Sequence, residues 1–128
     1  MLALGLSGCS LEDKHVSIVK NGHFTNYPSV TIGTAFEKFF ANPQWKHFKS
    51  DKGEEVVEFT GKCQYHDVEV MAKMQFLFSG DNSFEAKFLS FNDVPQNMLM
   101  MAGLISKVFE KANEQPTQNT AKTDTSKL

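Results

Sequence analysis

VVEFTGKCQYHDVEVMAKMQFLFSGDNSFEAKF, residues 56–88, decides the fold. Apolar and polar side chains alternate along it with a period of two. Val57, Phe59, Cys63 and Tyr65 fall on one side of a first strand, with Glu58, Thr60, Lys62 and Gln64 on the other. Val68, Val70, Ala72, Met74, Phe76 and Phe78 alternate with Glu69, Lys73 and Gln75 in a second. Phe84, Ala86 and Phe88 alternate with Glu85 and Lys87 in a third. Such alternation is the mark of a sheet with one face buried and one wet. The links, His66-Asp67 and Ser79 to Ser83, are too short for parallel crossovers, so the strands form antiparallel hairpins.

Outward from the strands the period changes. Ile32, Ala35, Phe36, Phe39 and Phe40 recur at helical spacing, which predicts a helix over about 32–41. Thr31 can cap it and Asn42-Pro43 stops it; Trp45 and Phe48 then close over the same core. A second helix is expected from about Pro95 to Lys111. Its cap would be Asp93, with Gln96 three residues on, and its core stripe Met98, Met101, Ala102, Ile105, Val108 and Phe109. Val16 to Lys20 reads as a short strand followed by an Asn21-Gly22 turn. The expected class is α+β: a helix packed on a three- to four-stranded antiparallel meander, with a C-terminal helix. Of the 128 residues, 113–128 lack apolar periodicity and are expected to form a disordered tail.

Twelve Phe against two Tyr and one Trp mean aromatic rings without polar handles, suited to a core. A net charge of -2 without a basic run argues against a nucleic-acid partner, because counterion displacement needs clustered Lys and Arg.

At the N-terminus, apolar Leu2 to Leu6 leads into Leu6-Ser7-Gly8-Cys9, which resembles the lipobox of bacterial lipoproteins. Small residues at 7 and 8 fit a narrow peptidase site. The resemblance implies residues 1–8 as signal peptide, cleavage before Cys9, lipidation at Cys9 and a tether over 9–15, leaving a domain at 16–112. More than one acyl chain gives stable membrane anchoring. Ser10 rather than Asp after the cysteine implies, by the same resemblance, sorting to the outer membrane, facing the periplasm, in a Gram-negative cell; in a Gram-positive cell the same motif implies the outer face of the plasma membrane. No Lys or Arg precedes Cys9, so either the true start lies upstream of Met1 or residues have been trimmed.

Tyr27, Pro28, Gly33, Ala35, Phe36, Pro43, Trp45, Val56, Val57, Glu58, Phe59 and Gly61 resemble the pattern of a poorly characterised bacterial extracytoplasmic domain, over about residues 16–110. That resemblance implies no catalytic residues. The helix-then-meander order is also loosely similar to the β-lactamase-inhibitor-protein fold, an analogy of architecture only.

Candidate chemistry is sparse. Cys63 and His66 form C-x-x-H, half of a zinc pattern, but they fall on opposite faces of a regular strand. Cys63 reads as a structural thiol, and His15, His23 and His47 as scattered surface histidines. No G-x-S-x-G elbow is present. Asp51, Glu54 and Glu55 read as a solvated turn, and Asp81-Asn82 lack the spaced ligands of a calcium loop. No catalytic residue, metal or cofactor is expected. Leu99, Met100 and Leu104 fall off the helical stripe and are the expected partner-binding residues. The expected function is a non-enzymatic envelope lipoprotein acting through protein contacts as accessory, scaffold or inhibitor. The alternative is a carrier of a small apolar ligand in the periplasm.

Overall fold

The computed structural model describes residues 12–113. Cys9, the expected signal peptide, the expected tether up to residue 11 and most of the expected tail therefore lie outside the described residues. The elements run α1 (Lys14–Lys20), α2 (Ile32–Phe39), β1 (Ala41–Lys49), β2 (Glu55–Tyr65), β3 (Val68–Phe78), β4 (Phe84–Phe91), β5 (Val94–Pro95) and α3 (Met98–Asn113). The five strands form one antiparallel sheet in sequence order. The expected α+β architecture is present, with helices packed on one face of an antiparallel meander and a C-terminal helix.

The core lies between that face and the helices. Phe36 is fully buried at its centre. Its ring lies 5.0 Å from Phe59 of β2, 6.1 Å from Phe76 of β3 and 6.4 Å from Phe109 of α3. Trp45 and Phe40 sit 4.7 and 4.9 Å from Phe59. Phe40 is buried, whereas Phe39 is half-buried at the rim. Gly61 lies under this cluster: a Cβ there would meet Phe40 Cβ at 2.7 Å and Phe59 Cζ at 2.8 Å.

Several expectations need correcting. Residues 14–20 are helical, not extended. The β-branched run reads as strand, but Val16 and Val19 stand three apart and both enter the core. Asp13, placed in the tether, caps this helix by accepting from His15 N–H at 2.7 Å and Val16 N–H at 3.1 Å. Asn42-Pro43 does stop α2, but the chain passes directly into a strand. An irregular register between Ala41 and Gln44 absorbs Asn42, at φ 53°, and the proline. Pro43 is tolerated because β1 is an edge strand. Trp45 and His47 of β1 then point inward, opposite Phe59 and Val57, and Phe48 points outward, opposite Val56.

β4 changes phase midway. Gln75 pairs with Phe88 but Phe76 pairs with Ala86, so one extra residue, Lys87, is absorbed. Phe84 and Ala86 face the helices as expected. Phe88 does not: it moves to the outer face, and Leu89 and Phe91 become the core residues. The outer face is consequently less wet than the alternation implies. Val56 is buried there between Phe48 and Leu77. Buried Glu58 accepts from Gln75 Nε2 at 2.8 Å and meets Lys46 Nζ at 3.5 Å.

Asp93 does not cap the last helix. Asn92 and Asp93, at φ 49° and 69°, form a two-residue turn into β5, as His66 and Asp67 do between β2 and β3. Helix α3 starts later, where Asn97 Oδ1 accepts from Met100 N–H at 2.8 Å. Among the described residues no helix is long and apolar enough to cross a membrane.

Candidate functional site: the α3 ridge and a histidine–carboxylate cluster

Moving the start of α3 to Met98 redistributes its side chains. Met101, Leu104, Val108 and Phe109 are buried, and Met100 and Ile105 pack partly against the core. Leu104 is only 9% exposed, so it belongs to the core and not to a free surface. Met98, expected in the core, is 62% exposed, and Leu99 is 80% exposed. Of the three expected contact residues, Leu99 stands free, Met100 is half-covered and Leu104 is enclosed. Val94, 59% exposed, adds a third apolar side chain just before the helix.

Helix α3 lies as a ridge between two grooves. One, of about 560 Å³, runs between the helix and the α1–α2 connection and is bordered by Phe24, Phe84, Ala86, Met98, Met101 and Ile105. The other, of about 370 Å³, is bordered by Phe39, Cys63, Tyr65, Phe91, Met100 and Leu104. His66 also borders the second groove, from its place in the turn. Burial pushes the half-buried Cys63 thiol above its usual pKa, which disfavours the nucleophilic thiolate.

A second constellation lies at the junction of α1 with β1 and β2. His47, on the inward face of β1, places Nδ1 2.8 Å from Asp13 Oδ2 and Nε2 2.6 Å from Glu55 Oε1. The His15 ring stacks on it at 4.3 Å and meets Phe78 edge-on at 4.7 Å. Burial opposes the charged imidazolium, but the hydrogen bonds to Glu55 and Asp13 outweigh it and raise the His47 pKa. Burial likewise opposes the Asp13 carboxylate, and bonds from His47 and from the two backbone N–H groups outweigh it, lowering its pKa. The bond from His47 is the largest influence holding Glu55 below the usual carboxylate range. Among the described residues, Asp13, His15 and His47 bring three ligand-type atoms within 4.8 Å of one another.

Sequence spacing offered no sign of this cluster. His15 and His47 read as isolated because their meeting depends on an unrecognised strand, β1, and an unrecognised helix, α1. Nearby, Lys20 Nζ pairs with Glu12 at 2.8 Å and Glu37 at 3.2 Å. Glu37 in turn accepts from Trp45 Nε1 at 3.1 Å. Together these contacts fasten α1 and α2 to the sheet edge.

No family model, no curated protein and no solved structure matches the chain.

Proposed function

We propose that this protein is a lipid-anchored module of the cell envelope that works through protein contacts, with the exposed start of α3 as its contact surface. The observation that carries this reading is the exposure of Leu99 and Met98, at 80% and 62%. Two consecutive long apolar side chains in water form a patch that a partner would cover. Methionine suits such a surface because its unbranched chain adapts to the partner. The carrier reading is less well supported: the centre of the domain is filled by aromatic rings, and the two grooves flank the helix instead of entering the core.

The anchor rests on the Leu6-Ser7-Gly8-Cys9 motif. Three residues separate Cys9 from the capping Asp13, and the four Cα-to-Cα steps between them span at most about 14 Å when extended. A lipid on Cys9 would therefore hold α1 and the adjoining sheet edge close to the membrane surface. Cys9→Ser should yield a protein that no longer incorporates labelled fatty acid and leaves the membrane fraction. Equal fatty-acid incorporation in the two proteins would remove the anchor from this account. The contact surface is tested separately, with Met98→Lys and Leu99→Lys combined. Both positions are solvent-facing, so the double variant should melt like the parent while losing its crosslinked partner. Partner retention by a folded double variant would place the interface elsewhere.

A further inference from the structure

We propose that Asp13, His15 and His47 form a binding site for a divalent transition-metal ion of the zinc class, with Glu55 orienting His47 from behind. The donor set is two imidazoles and a carboxylate, which suits zinc and its neighbours and poorly suits calcium or magnesium.

Each donor is prepared by its local structure. Asp13 Oδ1 is occupied by the His15 and Val16 N–H groups, which leaves Oδ2 directed at His47 Nδ1, 2.8 Å away. Glu55 Oε1 lies 2.6 Å from His47 Nε2 and can accept its proton. With the Nε2 proton held by Glu55, loss of the proton shared with Asp13 would leave the Nδ1 lone pair free for an ion. A carboxylate on the far nitrogen of a ligating histidine is a recurrent arrangement that raises ligand basicity and fixes the ring.

The distances are close to those needed. Zinc bonds of about 2.0–2.1 Å in tetrahedral geometry separate ligand atoms by about 3.3 Å. The 2.8 Å Asp13–His47 gap must open by about half an ångström, and His15 must close from within 4.8 Å. The His15 and His47 rings are stacked at 28°, so both cannot hold an ion in their planes as they stand. Binding would require the His15 ring to turn out of the stack and bring a ring nitrogen into the gap. The ion would displace any proton held between Asp13 and His47 into solvent. Three protein ligands leave a fourth position for water or for a group from a partner. The ion would cross-link α1 to β1, with β2 supporting through Glu55.

The test uses the full chain, stripped with chelator, and zinc titration followed by calorimetry at pH 7.5. One equivalent should bind, with a rise in melting temperature and loss of the His15–His47 ring contact by NMR. Asp13→Asn keeps an equally good helix cap while removing the charged ligand, and should abolish or greatly weaken binding without unfolding the protein. His15→Ala should do the same. Glu55→Gln should retain the site with affinity reduced about 10–100-fold. Absence of zinc uptake by the parent overturns the proposal. So does uptake at parental affinity by both Asp13→Asn and His15→Ala, which would place the ion elsewhere. Calcium binding as tightly as zinc would overturn the assigned metal class.

Discussion

His47 uses both ring nitrogens, one toward Asp13 and one toward Glu55, and its protonation state decides how firmly α1 is held to the sheet. In chelator-treated protein this has a defined pH signature. The raised pKa of His47 means a stabilising contribution that is full below the unfolded value of about 6.5 and lost as pH rises through the higher folded value. The lowered pKa values of Asp13 and Glu55 contribute above the unfolded carboxylate range, and that contribution is lost as pH falls through their lower folded values. The latch is therefore strongest in mildly acidic solution. Metal-free protein should lose melting temperature as pH rises above about 6.5, and His47→Asn should flatten that slope. An unchanged slope in the variant would show that the cluster does not titrate as a unit. Cys63 supplies a simpler residue-scale check. With its pKa raised by burial, the thiol should be alkylated slowly at neutral pH in the folded protein and rapidly after denaturation. Equal rates would mean that the second groove is open down to the sulfur.

At the scale of elements, close approach and turn geometry make separate demands. Gly61 passes beneath Phe40 and Phe59, with no room for a methyl group. Gly61→Ala should destabilise by about 1–3 kcal/mol through overpacking, measured by denaturant unfolding. Asp67 holds φ at 65° in the β2–β3 turn, where glycine is the preferred residue. Asp67→Gly should be neutral or stabilising, by up to about 1 kcal/mol; a clear loss would show that the Asp side chain supports the turn. The central strands and the first amphipathic helix were legible because their patterns span two or more full periods. Where the pattern was short or interrupted, local signals misled. In α1 the β-branched residues Val16, Ile18 and Val19 suggested a strand, but Val16 and Val19, three apart, share a face only in a helix, and the deciding contact, with the core, is tertiary. In β1, the proline suggested a break, and the edge position that tolerates it follows from sheet order. In β4, the extra residue at Lys87 shifts the alternation, which moved Phe88 outward. The start of α3 was placed early because Asn92-Asp93 resembles a cap as much as a turn. That displacement changed which residues of α3 reach water.

For the whole molecule, Phe36 is the point where helices and sheet meet, touching rings from β2, β3 and α3. Phe36→Ala should cost about 3–5 kcal/mol, a large part of the roughly 5–15 kcal/mol that holds a domain folded. Phe39→Ala, at the rim, should cost distinctly less. A core so filled turns attention to the surface, and the exposure of α3 was only partly readable: Leu99 is exposed as expected, Leu104 is core, and Met98, expected in the core, is exposed. The histidine–carboxylate cluster was not readable at all, since its members are separated by up to 42 residues along the chain, from Asp13 to Glu55. The central claim is that α3 presents Met98 and Leu99 to a protein partner. A photo-crosslinking amino acid at position 99, compared in intact cells with one at the exposed position 69 on the outer sheet face, tests it most directly. A discrete adduct from position 99, absent from position 69 and lost when Met98 is changed to Lys, is the predicted result. No adduct from position 99, or the same adduct from both positions, would contradict the claim.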